Sequence, residues 1–355
     1  MYSNVASTFR CGLCNLTAYS LNSYSLSARG AIMLSVHKAT KMFTVKNQPK
    51  WILKDISMDI NHGEMFGLIG ESGCGKTTLG KIILRLFPEI EGGTVTFDSR
   101  NIFEYSQKEI YGYRRNVQMI FQNPDATLNP AMTIGKSIIE SIKLGNDKNP
   151  LSRQESRDVA KKYLNDVRLQ SHKLDDYPHQ LSGGEKRRIG LIRALAVKPR
   201  LIVADEPFSG LDVSTKRQLV NLFLNRYEEE KGAFLFISHE IDAVRHLCNH
   251  VSVMYMGRII ETGTKKQVVY PSYAKHPYTQ GLLDAMNCLC SHERRQYLGW
   301  ELSASAPSDG CVFKDRCYIY RDRLDKDKKN TCAHHQPLLL RVDDEQSVAC
   351  HYWDY

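Results

Sequence analysis

A glycine-rich segment, Gly70-Glu71-Ser72-Gly73-Cys74-Gly75-Lys76-Thr77, constrains the fold of this chain more than any other feature. It follows an apolar run from Met65 to Ile69 and precedes apolar residues at helical spacing from Leu79 to Leu86. A strand, a glycine-rich loop and a helix in this order are typical of a phosphate-binding loop. The N–H groups of such a loop point into one concavity, and the following helix adds the positive end of its dipole. The segment therefore predicts an α/β fold that binds a nucleotide.

Side chains in this loop have separate expected roles. Lys76 is expected to reach the β- and γ-phosphates, and the Thr77 hydroxyl is expected to bind Mg²⁺. We expect the other loop residues and Thr78 to contact the nucleotide as well. The loop alone leaves kinases, GTPases and motor proteins open as classes.

The composition is that of a globular protein. Hydrophobic residues make up 42% and charged residues 25% of the chain, which is enough to build a core. No apolar stretch approaches the roughly 18 residues that indicate a membrane span. The net charge of +9 would suit an acidic partner, but Lys and Arg are scattered rather than clustered. We therefore expect no nucleic-acid partner.

The first 32 residues differ from the rest of the chain. They contain no acidic residue, many serines and two arginines, a composition that imitates a transit peptide without the apolar core of a secretory signal. Met33 is followed at once by strand-like sequence. We expect residues 1–32 to be a disordered or misassigned extension and the folded chain to begin at Met33.

Two regions flank the expected nucleotide site. Short apolar alternations between Leu34 and Ile60 predict antiparallel strands. Phe43 lies there in a polar setting and is a candidate to stack on a base, although an aromatic at strand spacing is also typical of a core. Further on, an apolar run ends at Gln122, whose carboxamide is a candidate to bind Mg²⁺ or orient water. From Thr133 to about Asp175 the sequence is helical in character and predicts a helical insertion.

A second candidate phosphate-binding surface begins at Ser182. The segment Leu181-Ser182-Gly183-Gly184-Glu185 precedes a predicted helix that runs to Ala196. Small residues at a helix start expose N–H groups together with the helix dipole. An isolated segment of this kind is more often a plain helix cap. Its position after the phosphate-binding loop favours the functional interpretation here.

Two later strands are expected to end in catalytic groups. The apolar run from Leu201 ends in Asp205 and Glu206. We expect Asp205 to hold Mg²⁺ through water and Glu206 to polarise the attacking water. Two adjacent carboxylates at a strand end are rarely structural, because leaving them unpaired is costly. A second apolar run, Ala233 to Ile237, is followed by His239, a candidate γ-phosphate sensor.

These motifs, in this order, resemble those of the ATP-binding cassette (ABC) ATPases over about residues 34–265. The resemblance implies a P-loop NTPase (RecA-like) core in an ABC ATPase domain at 33–265, with an antiparallel β subdomain and a helical ABC subdomain at about 123–189. The implied motifs are Walker A (Gly70 to Thr77), the Q-loop (Gln122), the signature (Leu181 to Glu185), Walker B (Leu201 to Asp205), the catalytic glutamate (Glu206), the D-loop (Ser209 to Asp212) and the H-loop (His239).

The resemblance also implies roles for individual residues. Catalysis is assigned to Lys76, Gln122, Glu206 and His239. Mg²⁺ binding is assigned to Thr77, Gln122 and Asp205. Contacts with ATP are assigned to the loop from Gly70 to Thr78, to Phe43 as the adenine-stacking aromatic, to Ser182, Gly183, Gly184 and Glu185, and to Asp212. Glu185 departs from the pattern, since the family more often has glutamine there.

Other segments look like the oligopeptide, dipeptide and nickel importer branch of this family: Asn129 to Thr133, Ala274 to Thr279, and a tail with Gly310-Cys311, Arg316-Cys317 and Ala349-Cys350-His351. The resemblance implies an ATP-hydrolysing subunit on the cytoplasmic face of the membrane. Its partners would be a second cassette, identical or a sister chain, two permeases and, indirectly, a solute-binding protein. A soluble ABC ATPase or a nucleotide-dependent regulator is the alternative, but the regulator would be expected to lack Glu206 or His239.

The last part of the chain, 266–355, is predicted to be a cysteine-rich extension. Of the ten cysteines in the chain, Cys311, Cys317, Cys332 and Cys350 lie in it. In a nucleotide-using protein such a cluster favours metal over disulfides. The spacing lacks the close pairs of zinc ribbons, and the importer branch that the chain resembles has cluster-bearing members. The resemblance therefore implies a four-iron four-sulfur cluster, in preference to zinc or to unligated thiols.

Overall fold

The computed structural model describes residues 31–147, 149–287 and 310–355. The expectation for residues 1–32 therefore falls almost entirely outside the described residues. The first strand begins at Ile32, and Met33 is already buried in it.

The described elements, in chain order, are as follows. The strands are β1 (Ile32–Val45), β2 (Gln48–Asn61), β3 (Met65–Ile69), β4 (Gly92–Phe97), β5 (Arg100–Asn101), β6 (Val117–Ile120), β7 (Leu201–Asp205), β8 (Ala233–Ser238), β9 (His250–Tyr255), β10 (Arg258–Thr264), β11 (Leu340–Arg341) and β12 (Ser347–Val348). The helices are α1 (Lys76–Ile83), α2 (Gln107–Asn116), α3 (Ile134–Gly145), α4 (Arg153–Asp166), α5 (Gly183–Ala196), α6 (Val213–Glu230), α7 (Ile241–Leu247), α8 (Lys265–Val268), α9 (Pro277–Asn287), α10 (Tyr318–Asp322) and α11 (Lys326–His334). None of the helices in the described ranges is long and apolar enough to cross a membrane.

The strands form two sheets. A smaller sheet has the order β2-β1-β4-β5, and its neighbouring strands run antiparallel, as the sequence predicts. The larger sheet has the order β11-β12-β10-β9-β3-β8-β7-β6. Within it, β9, β3, β8, β7 and β6 are parallel, and the remaining three strands are antiparallel. The expected α/β fold with an antiparallel β part is confirmed.

The central parallel strands are uniform apolar runs because both faces of the sheet are covered. Every residue of β3, β7 and β8 is buried. Parallel strands covered on both faces are expected to lose the alternation of polar and apolar residues. The polar groups of these segments are consequently confined to the carboxyl end of each strand, such as Asp205 of β7, and to the residues that follow.

The topology brings four of these strand ends to one edge. In the parallel register Ile120 lies beside Ala204, Asp205 beside Ile237, and Ser238 beside Ile69. The carboxyl ends of parallel strands share one edge of a sheet, and open α/β sheets bind ligands there. The segments that begin at Gly70, follow Ile120, follow Asp205 and follow Ser238 therefore converge.

The region that the sequence predicts as a helical insertion contains α3, α4 and the start of α5. Helix α4 starts with a reciprocal cap, in which Ser152 and Glu155 satisfy each other's backbone N–H groups. Ile138 and Ile142 on α3 are fully buried, in one hydrophobic cluster with Leu164 of α4 and Ile192 of α5. Apolar packing between the three helices therefore stabilises this region.

The tail is joined to the large sheet through β12. Strand β12 pairs with β10, and the buried Glu261 of β10 accepts hydrogen bonds from the Lys275 and His276 N–H groups and from the Gln346 amide. Burial raises the pKa of Glu261, and these donors partly offset that effect. The described part of the tail thus shares polar contacts and a hydrophobic core with the rest of the chain.

Candidate functional site

A cleft of about 370 Å³ opens beside the glycine-rich loop. Its lining residues are Phe43, Ile52, Ser72, Gly73, Gly75, Lys76, Thr77, Thr78, Gln122 and Glu206. The volume is in the range of small-ligand sites. The cleft brings together the glycine-rich loop, Gln122 shortly after β6, and Glu206 directly after β7, which lie far apart in the sequence.

The backbone of the loop requires glycine at several positions. Gly75, which caps α1, has a φ of 113°, and a Cβ there would lie 2.8 Å from a methyl carbon of Leu53. Gly70 has a φ of 155°, and a Cβ there would lie 2.2 Å from the Met254 carbonyl oxygen. Neither position tolerates a side chain. The start of α1 therefore faces the cleft with bare N–H groups, as anion binding at a helix start requires.

Lys76 is held inside this loop. Its ammonium is buried and donates to the carbonyl oxygens of Gly70 (2.7 Å) and Glu71 (2.8 Å). The Cys74 thiol lies 3.7 Å from the Lys76 ammonium nitrogen, and burial raises the pKa of this thiol. A buried ammonium ringed by carbonyl oxygens places a fixed positive charge at the cleft wall.

Asp205 fits a cation site. Its two carboxylate oxygens are buried, and neither forms a hydrogen bond with a described residue. Burial raises its pKa, and the Thr77 hydroxyl and Lys76 counteract part of that rise. Leaving a buried carboxylate unpaired is costly. Together with the Thr77 hydroxyl, this oxygen set suits Mg²⁺.

Glu206 is positioned by three different strand ends. Its N–H donates to the Ile237 carbonyl at 2.8 Å, and its φ is +48°. One carboxylate oxygen accepts from the Gln122 amide at 2.8 Å, and the other lies 2.9 Å from Nδ1 of His239. A left-handed conformation is strained for a residue with a Cβ, and such strain is concentrated at functional sites. These hydrogen bonds hold the Glu206 backbone in its strained conformation.

The signature segment lies away from the cleft lining. The Ser182 hydroxyl accepts from the Glu185 N–H at 3.3 Å, and the Glu185 carboxylate accepts from the Ser182 N–H at 2.8 Å. Glu185 also lies 3.5 Å from Lys173. This capping box accounts for Glu185 in structural terms, and glutamate and glutamine are interchangeable in it.

The two signature glycines are not explained by packing within the chain. A Cβ at Gly183 would meet no described atom within 4 Å, and one at Gly184 would only touch Leu211 at 3.7 Å. Neither has a positive φ. Both positions leave an open surface in front of the α5 N-terminus.

Asp212, a predicted ATP contact, caps helix α6. Its carboxylate accepts from the N–H groups of Ser214 and Thr215 and from the Thr215 hydroxyl, and these bonds lower its pKa. It does not line the cleft. Its local role is therefore that of a helix cap.

Phe43 does line the cleft, packed edge to face against Phe87 at a centroid distance of 5.4 Å. Sequence reasoning missed Ile52, which lines the cleft beside it. Ile52 lies on β2 in an ordinary strand pattern, so the sequence contained no signal that sets it apart.

Polar contacts connect the Gln122 loop to α5. Arg187 donates to the Gln122 carbonyl at 2.8 Å, and Lys186 pairs with Asp125 at 2.6 Å. Arg193 donates to the Thr127 carbonyl. The loop after β6 is thus attached to the helix whose start carries the signature segment.

The four cysteines of the tail line one small cavity. None of them forms a disulfide. Burial raises the pKa of Cys311 to about 12 and of Cys332 to about 11, with neighbouring thiols adding to both shifts. Within the described ranges no group of three or more His, Cys, Asp or Glu side chains is arranged to hold a single metal ion. The alternative of one zinc ion at these cysteines has no support in this arrangement.

Comparisons with known proteins give two family matches. Residues 53–209 match the family described as ABC transporter. Residues 260–323 match the family described as oligopeptide/dipeptide transporter, C-terminal region. The two matches fall on the cleft-bearing part of the chain and on the tail, respectively.

Similar curated proteins cover most of the chain. The chain is 39% identical over 304 residues to the putative oligopeptide transport ATP-binding protein YkfD of Bacillus subtilis (strain 168), covering 84% of this chain and 88% of that protein. It is 36% identical over 312 residues to the dipeptide transport ATP-binding protein DppF of Haemophilus influenzae, covering 87% and 91%.

Similar solved structures share the fold. The dimeric post-hydrolysis state of the ATP-binding cassette MJ0796, bound to ADP and Pi, superposes with a TM-score of 0.61 and 26% identity, covering 66% of this chain and 99% of that chain. The cbiO1 protein of Clostridium perfringens, part of the ABC transporter complex cbiONQ, gives a TM-score of 0.55 at 26% identity, covering 73% and 95%.

The capping role of Glu185 is testable. Glu185→Ala should lower the free energy of unfolding by about 0.5–2 kcal/mol because one end of the capping box is lost. Glu185→Gln should stay near wild type, since an amide oxygen also accepts from the Ser182 N–H. Thermal unfolding measures both, with Glu228→Ala, an exposed change on α6, as the control. Equal losses of stability in the two Glu185 variants would show that the charge of Glu185, and not its capping hydrogen bond, stabilises the protein.

Proposed function

The chain belongs to the family of ABC transporter ATP-binding proteins, and we propose that it powers a peptide importer by hydrolysing ATP between two cassettes. The observation that carries the proposal is the convergence of Lys76, Asp205, Glu206 and Gln122 at one sheet edge. The match of the tail to the oligopeptide/dipeptide transporter C-terminal region supports peptide over nickel as cargo.

The loop and the cleft wall would bind the nucleotide. The N–H groups at the start of α1 and the Lys76 ammonium supply positive potential where the phosphates lie. Phe43 and Ile52 offer an apolar and aromatic surface at the same cleft for the base. The residues from Gly70 to Thr78 are proposed as contacts. Within this segment the Glu71 carboxylate pairs with Arg316 and the Glu71 N–H donates to Tyr278, so Glu71 would act mainly by shaping the loop.

Mg²⁺ would be held by the oxygen ligands of the cleft. Thr77 supplies a hydroxyl, Asp205 an unpartnered buried carboxylate, and Gln122 the carbonyl oxygen of its amide. Bound Mg²⁺ would neutralise charge on the phosphates. Each of these residues also borders the phosphate-binding loop, which supports the assignment.

Glu206 is proposed as the group that polarises the attacking water. Gln122 and His239 hold one carboxylate oxygen each, so the carboxylate has a fixed orientation. A general base must be held within hydrogen-bond reach of the proton it takes. The contact of both residues with Glu206 argues against a regulator without turnover.

The signature segments of two cassettes would complete two sites. Gly183 and Gly184 leave an open surface at the start of α5, and neither they nor Ser182 line their own chain's cleft. A head-to-tail dimer would place them against the partner's nucleotide, with Asp212 near the same contact. The dimeric state of the similar cassette MJ0796 supports this arrangement. The subunit would act at the cytoplasmic face of the membrane, attached to two permeases.

Glu206→Gln should bind ATP but hydrolyse it at least about a hundredfold more slowly, because the water loses its base. Steady-state ATPase activity and ATP binding of the purified full chain check this. Glu240→Gln is the matched control, since Glu240 pairs with Lys216 at the neighbouring helix start. Wild-type turnover in Glu206→Gln would remove this residue from the catalytic role.

Gly183→Asp should abolish ATP-dependent dimerisation while leaving ATP binding to the single chain intact. The new carboxylate has room within the chain but would repel the partner's phosphates. Light scattering of the Glu206→Gln chain with Mg²⁺ and ATP measures the dimer, and Gly112→Asp, at another open glycine, is the control. A persistent dimer in Gly183→Asp would contradict the head-to-tail arrangement. A Glu206→Gln chain that stays monomeric would require a sister cassette as the partner.

For the tail cavity we propose a four-iron four-sulfur cluster with a structural role. Backbone N–H groups point at two of the sulfurs, from Tyr320 to Cys317 and from Tyr352 to Cys350, each at 3.5 Å. Such bonds are typical around iron–sulfur clusters. All four cysteines line the same cavity, and four Cys thiolates are the usual ligands of a four-iron four-sulfur cluster. Bound iron would also stabilise thiolates whose pKa burial raises.

Anaerobically purified protein should be brown and contain about four irons per chain. Cys317→Ser should lose both the colour and the iron, whereas Cys248→Ser, a buried cysteine that does not line the cavity, should retain them. Iron and sulfide assays with visible absorption measure the result. Colourless, iron-free protein would contradict the cluster, and stoichiometric zinc would select the alternative.

A further inference from the structure

Arg316 of the tail forms a bidentate ion pair with Glu71 of the phosphate-binding loop. Its two terminal nitrogens lie 2.9 Å and 2.8 Å from the two Glu71 carboxylate oxygens. The Arg316 side chain is 7% exposed and that of Glu71 22%. Parallel guanidinium–carboxylate bonds of this kind fix orientation as well as distance. The pair joins residues 245 positions apart in the chain.

Aromatic side chains hold the guanidinium in place. Tyr255 lies with its ring 5.6 Å from the guanidinium carbon, and Phe313 lies at 6.0 Å. The Tyr255 hydroxyl also accepts a hydrogen bond from Arg316 at 3.4 Å. Pairing with Glu71 raises the pKa of Arg316 further. A cation held between a carboxylate and aromatic faces has little freedom to move away.

The backbone of Glu71 is held from the same side. Its N–H donates to the hydroxyl of Tyr278 on α9 at 3.0 Å, and its carbonyl accepts from Lys76 at 2.8 Å. Tyr278 is fully buried against Tyr255 and Phe313. The second residue of the phosphate-binding loop is therefore fixed by its side chain, its N–H and its carbonyl. Two of these three contacts come from beyond residue 265.

We propose that Arg316 is a positioning residue for the ATP site, which fixes the phosphate-binding loop through its ion pair with Glu71. This inference rests on the proposed assignment of that loop to ATP. Glu71 directly precedes the loop residues that line the cleft, and its carbonyl is a Lys76 partner. An unpaired Glu71 would leave a negative charge beside the phosphate site and would loosen the loop.

The pair should act on ATP binding more than on turnover. Because it contacts neither the attacking water nor Glu206, its loss should weaken the ground state and the transition state equally. Such a loss raises KM and leaves kcat unchanged. A purely structural role would instead reduce the amount of folded protein and leave KM as it is.

The test is a double-mutant cycle in the full-length chain. Arg316→Gln and Glu71→Gln should each raise the KM for ATP about tenfold with kcat within about twofold of wild type. The double variant should show the same rise and not the product of the two, because both changes remove one interaction. Arg316→Lys keeps the positive charge but loses the planar, bidentate guanidinium. Its KM for ATP should therefore lie between those of wild type and Arg316→Gln.

Arg323→Gln is the matched control, since Arg323 is exposed in the same segment and donates to the Tyr355 carbonyl. It should leave KM and kcat unchanged. A KM within about twofold of wild type in Arg316→Gln, or effects that multiply in the double variant, would overturn the proposal. Thermal unfolding of each variant shows whether the substitution has impaired folding. Glu71→Gln removes the same ion pair from the other side, so it tests the proposal even if Arg316→Gln misfolds. An inactive wild-type chain would instead refute the proposed ATPase function.

Discussion

Parallel pairing of β3, β8, β7 and β6 is the constraint on which the rest of this structure depends. It aligns four strand ends along one edge, so groups from distant parts of the sequence meet without any long side chain reaching across. Apart from Asp205 and Ser238 at their carboxyl ends, β3, β7 and β8 are apolar, and they are buried on both faces. The chemistry of the site therefore lies at the strand ends and in the residues that follow them, where side chains can be polar.

The site combines two kinds of unfavourable feature that such a core can sustain. Glu206 has a left-handed backbone, and the buried carboxylate of Asp205 forms no hydrogen bond with a described residue. Each costs free energy of about 1–3 kcal/mol in an isolated setting. Asp205 is the last residue of the buried strand β7, and Glu206 follows it directly. The buried strand holds both residues in place, so these unfavourable groups remain available to interact with a charged ligand.

The parts of the site that follow a strand could be predicted from the sequence. Each of these parts comes directly after an apolar run: Gly70 to Thr77, Gln122, Asp205, Glu206 and His239. The apolar runs and the residue types were therefore sufficient to predict where these groups lie. The partners of these residues could not be predicted. The Ser182-x-x-Glu185 spacing is typical of a capping box, but the sequence alone does not separate that role from phosphate binding, and it does not show that Asp212 caps α6. Capping depends on where a helix begins, and that boundary is resolved only in the folded chain.

Contacts between residues that lie far apart in the chain are the features that the sequence predicts least well. Glu71 lies in a recognisable motif, but Arg316 lies between Cys311 and Cys317 in the tail. The sequence there indicates a cysteine-rich extension of the importer branch and no contact with the phosphate-binding loop. Spacing cannot predict an ion pair that crosses most of the chain, because it depends on β12 joining the large sheet and on Phe313 entering its core.

This arrangement changes how the tail relates to the nucleotide site. The turn that carries Arg316 is bounded by two of the cavity cysteines, and the Cys311 N–H bonds the Cys332 carbonyl at 2.8 Å. Phe313 lines the cavity and also packs against Tyr278, which holds the Glu71 N–H. Rearrangement of the cavity walls would therefore move both partners of Glu71 together. The phosphate-binding loop is thus not set by the nucleotide-binding core alone, because its second residue takes its geometry from the tail.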